Sequence, residues 1–162
     1  MKKKKLLVPF AVVFLLSFLA ATAFAHHEFL TVLSGKNEAP PVKTMATGKA
    51  VFRMVADHGT IALDYELNVK NIRGATAAHI HLGKPGESGP PVVVLFNGPA
   101  KKGKFSGVLA KGRIAGKDLV GPLEGKTLSD LVGDLEKGNA YINVHTKKHP
   151  DGEIRGQVKY SK

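Results

Sequence analysis

Ala78-His79-Ile80-His81-Leu82-Gly83 decides how the chain is read. Side chains alternate between the two faces of a strand, so His79 and His81 share one face and Ile80 and Leu82 the other. Tyr141-Ile142-Asn143-Val144-His145-Thr146 follows the same rule. Ile142 and Val144 face one way; Tyr141, Asn143 and His145 face the other. Both stretches are therefore expected to be strands, apolar on one side and rich in His and Asn on the other. The polar sides are expected to meet and form the functional site.

The flanking sequence continues in strands. Glu28 to Ser34 and Thr47 to Ala56 read as strands, separated by a Pro-broken loop over Gly35 to Thr44. Asp57-His58-Gly59 is a hairpin turn, with glycine supplying a positive φ. Ile61, Leu63, Tyr65, Leu67 and Val69 alternate with Ala62, Asp64, Glu66 and Asn68, the pattern of a half-buried strand. Asn71 to Gly74 turns the chain into the His-x-His strand, and Gly83 to Pro91 is a Gly/Pro/Ser loop after it. Val92 to Phe96, Phe105 to Ala110 and Gly112 to Ile114 read as further strands, with a turn over Asn97 to Gly103.

One helix is expected near 128–136. Leu128, Leu131, Val132 and Leu135 repeat at helical spacing, Thr127 to Asp130 spells a capping box, and Gly138 is the stop. Two strands close the chain, Ala140 to Thr146 and Gly152 to Tyr160, joined by a His-Pro-Asp-Gly turn. Short strands at regular spacing predict an all-β, antiparallel sandwich or barrel, immunoglobulin-like or copper/zinc superoxide dismutase-like. No internal repeat or domain boundary is visible.

Residues 1–25 read as a secretory signal peptide. Lys2 to Lys5 are its basic start, Leu6 to Ala21 its apolar core and Ala23-Phe24-Ala25 its cleavage site. A membrane anchor is the competing reading, but the apolar run is short for a span and ends in small residues. Residues 26–162 are then one secreted or periplasmic domain without a transmembrane span. The chain has no cysteine, so its stability rests on packing alone. Cleavage removes four lysines and no acid, so the net charge of +11 becomes +7. A basic balance suits an anionic cell surface, although the lysines look scattered apart from Lys101-Lys102 and Lys147-Lys148, as on a solvated surface. Nucleic acid is not expected, because there is neither a basic helix nor a ladder of aromatics.

Six motifs in order carry a family resemblance: Asn37-Glu38-Ala39-Pro40-Pro41-Val42, Thr47-Gly48, the His-x-His strand, Gly89-Pro90-Pro91-Val92-Val93, the Tyr141 strand, and Pro150 to Val158. Together they resemble the CHRD domain, named after chordin, from about Phe29 to Lys159. The resemblance implies an extracellular all-β domain but no settled activity. With the His- and Asn-rich site, the chain is read as a non-enzymatic binding domain for an unknown ligand, its polar site built from His79, His81, Asn143 and His145. The resemblance also keeps open a cell-surface protein-interaction role.

His79, His81 and His145 could supply three nitrogens to copper or zinc, and redox chemistry would be open to a copper site. The plainer alternative is a hydrogen-bonded network of His79, His81, Asn143, Glu153 and Arg155 that holds no ion. The His-x-His strand resembles that of copper/zinc superoxide dismutase. That pattern fails after it, since Lys84 to Pro91 holds no His or Asp and the disulfide cysteines are missing. Dismutase activity is not expected. Cleavage after Ala25 would make His26 an N-terminal residue able to chelate copper through its amine and ring, a second candidate site. Glu153 and Arg155 are two apart on the last strand and are expected to share a face. Arg155 could fork onto an incoming carboxylate, or pair with Glu38 and so pin the Pro40-Pro41 loop. His58 and His149 read as plain surface residues. Neither paired acids for glycoside hydrolysis nor a Gly-x-Ser-x-Gly elbow is present.

Overall fold

The computed structural model describes residues 27–57 and 59–161. The signal-peptide reading, His26 and His58 lie outside them.

Nine strands and one α-helix make up the described chain, with three short 3-10 turns. The strands are β1 (Glu28–Ser34), β2 (Thr47–Asp57), β3 (Thr60–Arg73), β4 (Ala75–Leu82), β5 (Pro91–Asn97), β6 (Lys104–Ile114), β7 (Ala140–Thr146), β8 (Ile154–Gln157) and β9 (Lys159–Ser161). All pair antiparallel, in the order β5-β4-β7-β8-β1-β2-β3-β6, with β9 also on β1. The edge strands β5 and β6 come back into contact, so the single sheet nearly closes into a barrel. Bringing the two edge strands together shields them, which lessens the edge-pairing hazard of an all-β fold. The core is one cluster that includes Phe29 and Leu33 of β1, Phe52 of β2, Leu63 and Leu67 of β3, Ile80 of β4, and Ile142 and Val144 of β7.

α1 (Leu128–Glu136) buries Leu128, Leu131, Val132 and Leu135. Asp130 accepts hydrogen bonds from the Thr127 amide at 2.8 Å and hydroxyl at 2.7 Å, and Gly138 ends the helix at φ 68°.

Three boundaries differ from the sequence expectation, each for a local reason. β3 continues through Asn71 to Arg73 instead of turning there. Asn71 takes φ 58° at a bulge and donates its N–H to Ser106 Oγ at 2.9 Å, which returns Ile72 to the core. β6 is one strand rather than two, because Gly112 stays paired under the Tyr65 ring. The last strand breaks at Val158, whose side chain is buried and whose N–H turns to Ala140 O at 3.0 Å. Glu153 therefore precedes β8 instead of lying in it.

The β4–β7 register decides where the polar residues go. His79 lies opposite Asn143, His81 opposite Tyr141, and His145 opposite Ala77. On β8, Arg155 lies opposite Asn143 and Gln157 opposite Tyr141. All of these project from the outer wall of the barrel, while Ala78, Ile80, Ile142, Val144 and Ile154 fill its interior. The outer wall here is not wet, since Tyr141, Asn143 and Arg155 are only 2–5% exposed. Three connections roof it, over residues 35–46, 83–90 and 147–153.

Candidate metal centre

His79, His81 and His145 come together on this roofed wall. Each offers a ring nitrogen, and the three lie within 4.8 Å of one another. His79 Nδ1 is 3.1 Å from His145 Nε2, and the ring centroids are 5.0–5.9 Å apart. Diagonal neighbours on paired strands are within reach of such side chains, so the register alone brings His79 to His145.

The loops set the tautomers. His81 Nδ1 is 2.9 Å from Gly89 O, and His145 Nδ1 is 2.8 Å from Pro150 O. A carbonyl oxygen can only accept, so both Nδ1 atoms carry the proton and both Nε2 atoms carry a lone pair. His145 Nε2 in turn accepts from His79 Nδ1–H. His81 Nε2 is buried and has no hydrogen-bond partner. A buried acceptor without a partner costs about 1–3 kcal/mol unless something fills it.

Burial disfavours the charged form of all three rings. Burial, and then the nearness of His145 and His81, push His79 down to about 4. Burial is also the main cause of the downward shifts of His81 and His145, opposed by their bonds to Gly89 and Pro150. Free imidazoles titrate near 6.5. Between that pH and about 4 the unfolded chain takes up protons that the folded site refuses, so metal-free stability falls as pH drops across this window.

Around the triad the roof is held by side chains that the alternation places on the same wall. Tyr141 stacks on His81, with centroids 5.0 Å apart and planes at 12°, and its hydroxyl accepts the Gly89 N–H at 3.1 Å. Arg155 sits over the Tyr141 ring, its guanidinium carbon 3.4 Å from the centroid, and donates to Lys84 O at 2.9 Å. Gln157 donates to Gly83 O at 2.8 Å. Tyr141 and the two carbonyls position the histidine rings, and sequence reasoning assigned them no role. Tyr141 was on the right face to be found, whereas nothing in a sequence pattern marks a carbonyl.

The expected Glu38–Arg155 ion pair does not form: among the described residues, no carboxylate lies within ion-pair distance of Arg155. Arg155 spends itself on Tyr141 and Lys84. Glu38 feels its charge but accepts instead from Asn143 Nδ2 at 3.4 Å. Nor do Glu153 and Arg155 act together. Glu153 accepts from Thr44 Oγ1 at 2.6 Å and Thr146 Oγ1 at 2.8 Å, tying the 35–46 connection to β7. The polar residues thus form separate clamps around the triad rather than one mutual network.

Glu38 is 8% exposed, and its Oε1 lacks a partner. Burial raises its pKa to about 7, against the opposing pull of Arg155 and the Asn143 bond. Its ionisation therefore costs stability as pH rises from about 4.5 to about 7. Glu38→Gln keeps an acceptor for Asn143 and removes that cost. The variant is expected to gain on the parent between pH 5 and pH 8, by on the order of 2–3 kcal/mol, in denaturant melts. A difference that does not change with pH contradicts this.

The CHRD domain profile matches residues 29–158. Among curated proteins, Chordin of Xenopus laevis is 34% identical over 147 residues, covering 83% of this chain and 13% of that protein. The chain thus spans about an eighth of the length of that relative. No solved structure matches.

Proposed function

The chain belongs to the CHRD domain family, and from that premise we propose that it is a secreted, non-enzymatic binding domain that holds one zinc or copper ion between His79, His81 and His145. The observation that carries this is the orphaned, buried Nε2 of His81, its tautomer fixed by Gly89 O, on a ring packed beside the imidazoles of His79 and His145.

The donor set fits these metals. Three imidazoles without thiolate or carboxylate suit zinc or copper and leave a fourth position for water or a ligand. The carbonyls of Gly89 and Pro150 orient two of the rings from behind, as outer partners of metal-bound histidines do. The closest pair, at 3.1 Å, already has the spacing of two ligands on one tetrahedral ion. The widest, at up to 4.8 Å, must close by roughly 1.5 Å to reach bonds of 2.0–2.1 Å on such an ion. Neutral rings need lose no net proton to bind, because His79 can move its proton from Nδ1 to Nε2.

Secretion rests on the leader read in residues 1–25. Among the described residues no helix is long and apolar enough to cross a membrane.

Calorimetric titration of the mature, tag-free protein with Zn(II) and with Cu(II) tests the proposal. One equivalent per chain is expected at pH 7, with affinity falling as the pH drops towards about 4 and His79 protonates. Heats no different from buffer for both metals would contradict it. A copper site that disappears when an extra residue precedes His26, with His79 and His81 intact, would move the function to the N-terminus.

A further inference from the structure

Two lysine pairs that look unrelated in sequence are fastened to one turn. Lys147 N–H donates to Gly74 O at 3.0 Å, and Lys101 N–H donates to Ala75 O at 3.0 Å. Consecutive carbonyls at the β3–β4 turn therefore hold the 97–103 and 147–153 connections side by side. Gly74 takes φ 67°, and the Lys147 side chain passes directly over its Cα. The expectation of scattered lysines is corrected here: the fold gathers Lys43, Arg73, Lys101, Lys102, Lys147 and Lys148 around one cleft of about 620 Å³.

The charge of this cleft is almost uncompensated. Glu153 is the one acid in its lining, and both its oxygens are engaged by Thr44 and Thr146. Among the described residues, none of the six cations lies within ion-pair distance of a carboxylate. Gathering like charges costs energy that a bound anion returns. We propose that the cleft binds a linear phosphate polymer, recognised through its backbone charges.

The chemistry of the lining narrows the class. Sugar hydroxyls favour free carboxylates, and the one carboxylate in the lining, Glu153, already has both oxygens engaged. His149 is the single ring in the lining of the cleft, and no Phe, Tyr or Trp is there to extend it into a ladder on which successive bases could stack. Its walls are concave and carry no large apolar side chain that could enter a lipid layer. Ammonium groups on mobile stems suit successive phosphates at variable spacing better than one fixed planar anion.

The test uses the mature protein with EDTA present, so that it is independent of the metal proposal. Fluorescence anisotropy follows binding of labelled linear polyphosphate across a salt series. Lys102 and Lys148 are both exposed, so Lys102→Glu/Lys148→Glu leaves the core untouched. This variant is expected to bind at least tenfold more weakly, with a salt slope shallower by about two contacts. Lys117→Glu/Lys126→Glu makes the same change in net charge beyond the other end of β3, and it should cost less than threefold. Equal losses in both variants would reduce the effect to general attraction and overturn the proposal. So would tighter binding of heparin, or of phosphatidylglycerol vesicles, than of polyphosphate.

Discussion

Replacing His145 by alanine is expected to lower zinc and copper affinity at least a hundredfold, a loss of about 2.7 kcal/mol. The ring makes two contributions at once. Its Nε2 faces His79 Nδ1 at 3.1 Å, and its Nδ1 is anchored on Pro150 O at 2.8 Å. Alanine removes one of three ligands and leaves His79 without its neighbour. His81→Ala should be as severe, since it deletes the preset lone pair. Metal-free stability should fall only modestly in either variant, by about 1 kcal/mol for a lost hydrogen bond. That ratio separates the metal reading from a purely structural one. Variants that melt early yet bind metal with parental affinity would leave the histidines a structural role alone.

The second large effect is expected at a residue with no side chain. A Cβ on Gly89 would collide with the Leu82 carbonyl, and the Leu82 amide is itself tied to Pro90 O at 3.1 Å. Gly89→Ala must therefore push the 83–90 connection off the wall. The hydrogen bonds from His81 Nδ1–H to Gly89 O and from Gly89 N–H to Tyr141 Oη go with it. Two partly buried bonds and the displaced backbone should cost about 2–3 kcal/mol, a drop of roughly 6–12 °C in melting temperature. Metal affinity should fall by tenfold or more as well, because the His81 ring loses its orienting carbonyl. Ser88→Ala, one residue away and exposed, should change neither. An unchanged melting temperature in Gly89→Ala would show that the loop does not hold the ring.

Much of the barrel is legible from alternation. Period-two patterns located β3, β4 and β7, and capping located α1 to the residue. The same alternation put His79, His81, Tyr141, Asn143 and His145 on one side of two strands. What it does not carry is the roof. Whether a polar face opens to water depends on where the 35–46, 83–90 and 147–153 connections lie, and their path is set by backbone acceptors such as Lys84 O, Gly89 O and Pro150 O. The Arg155–Glu38 pairing failed for a related reason. Charge suggested it, but Tyr141 offered Arg155 a ring to stack on and the loop offered it a carbonyl. Nor does local pattern show that residues 101 and 147 hang from neighbouring carbonyls, since that contact is made only once the barrel curls.

X-ray absorption spectroscopy of the stoichiometric zinc or copper complex tests the central claim most directly. The account predicts three imidazole nitrogens at about 2.0–2.1 Å, with one lost in His145→Ala. A metal shell with one imidazole or none, unaltered in that variant, would contradict it.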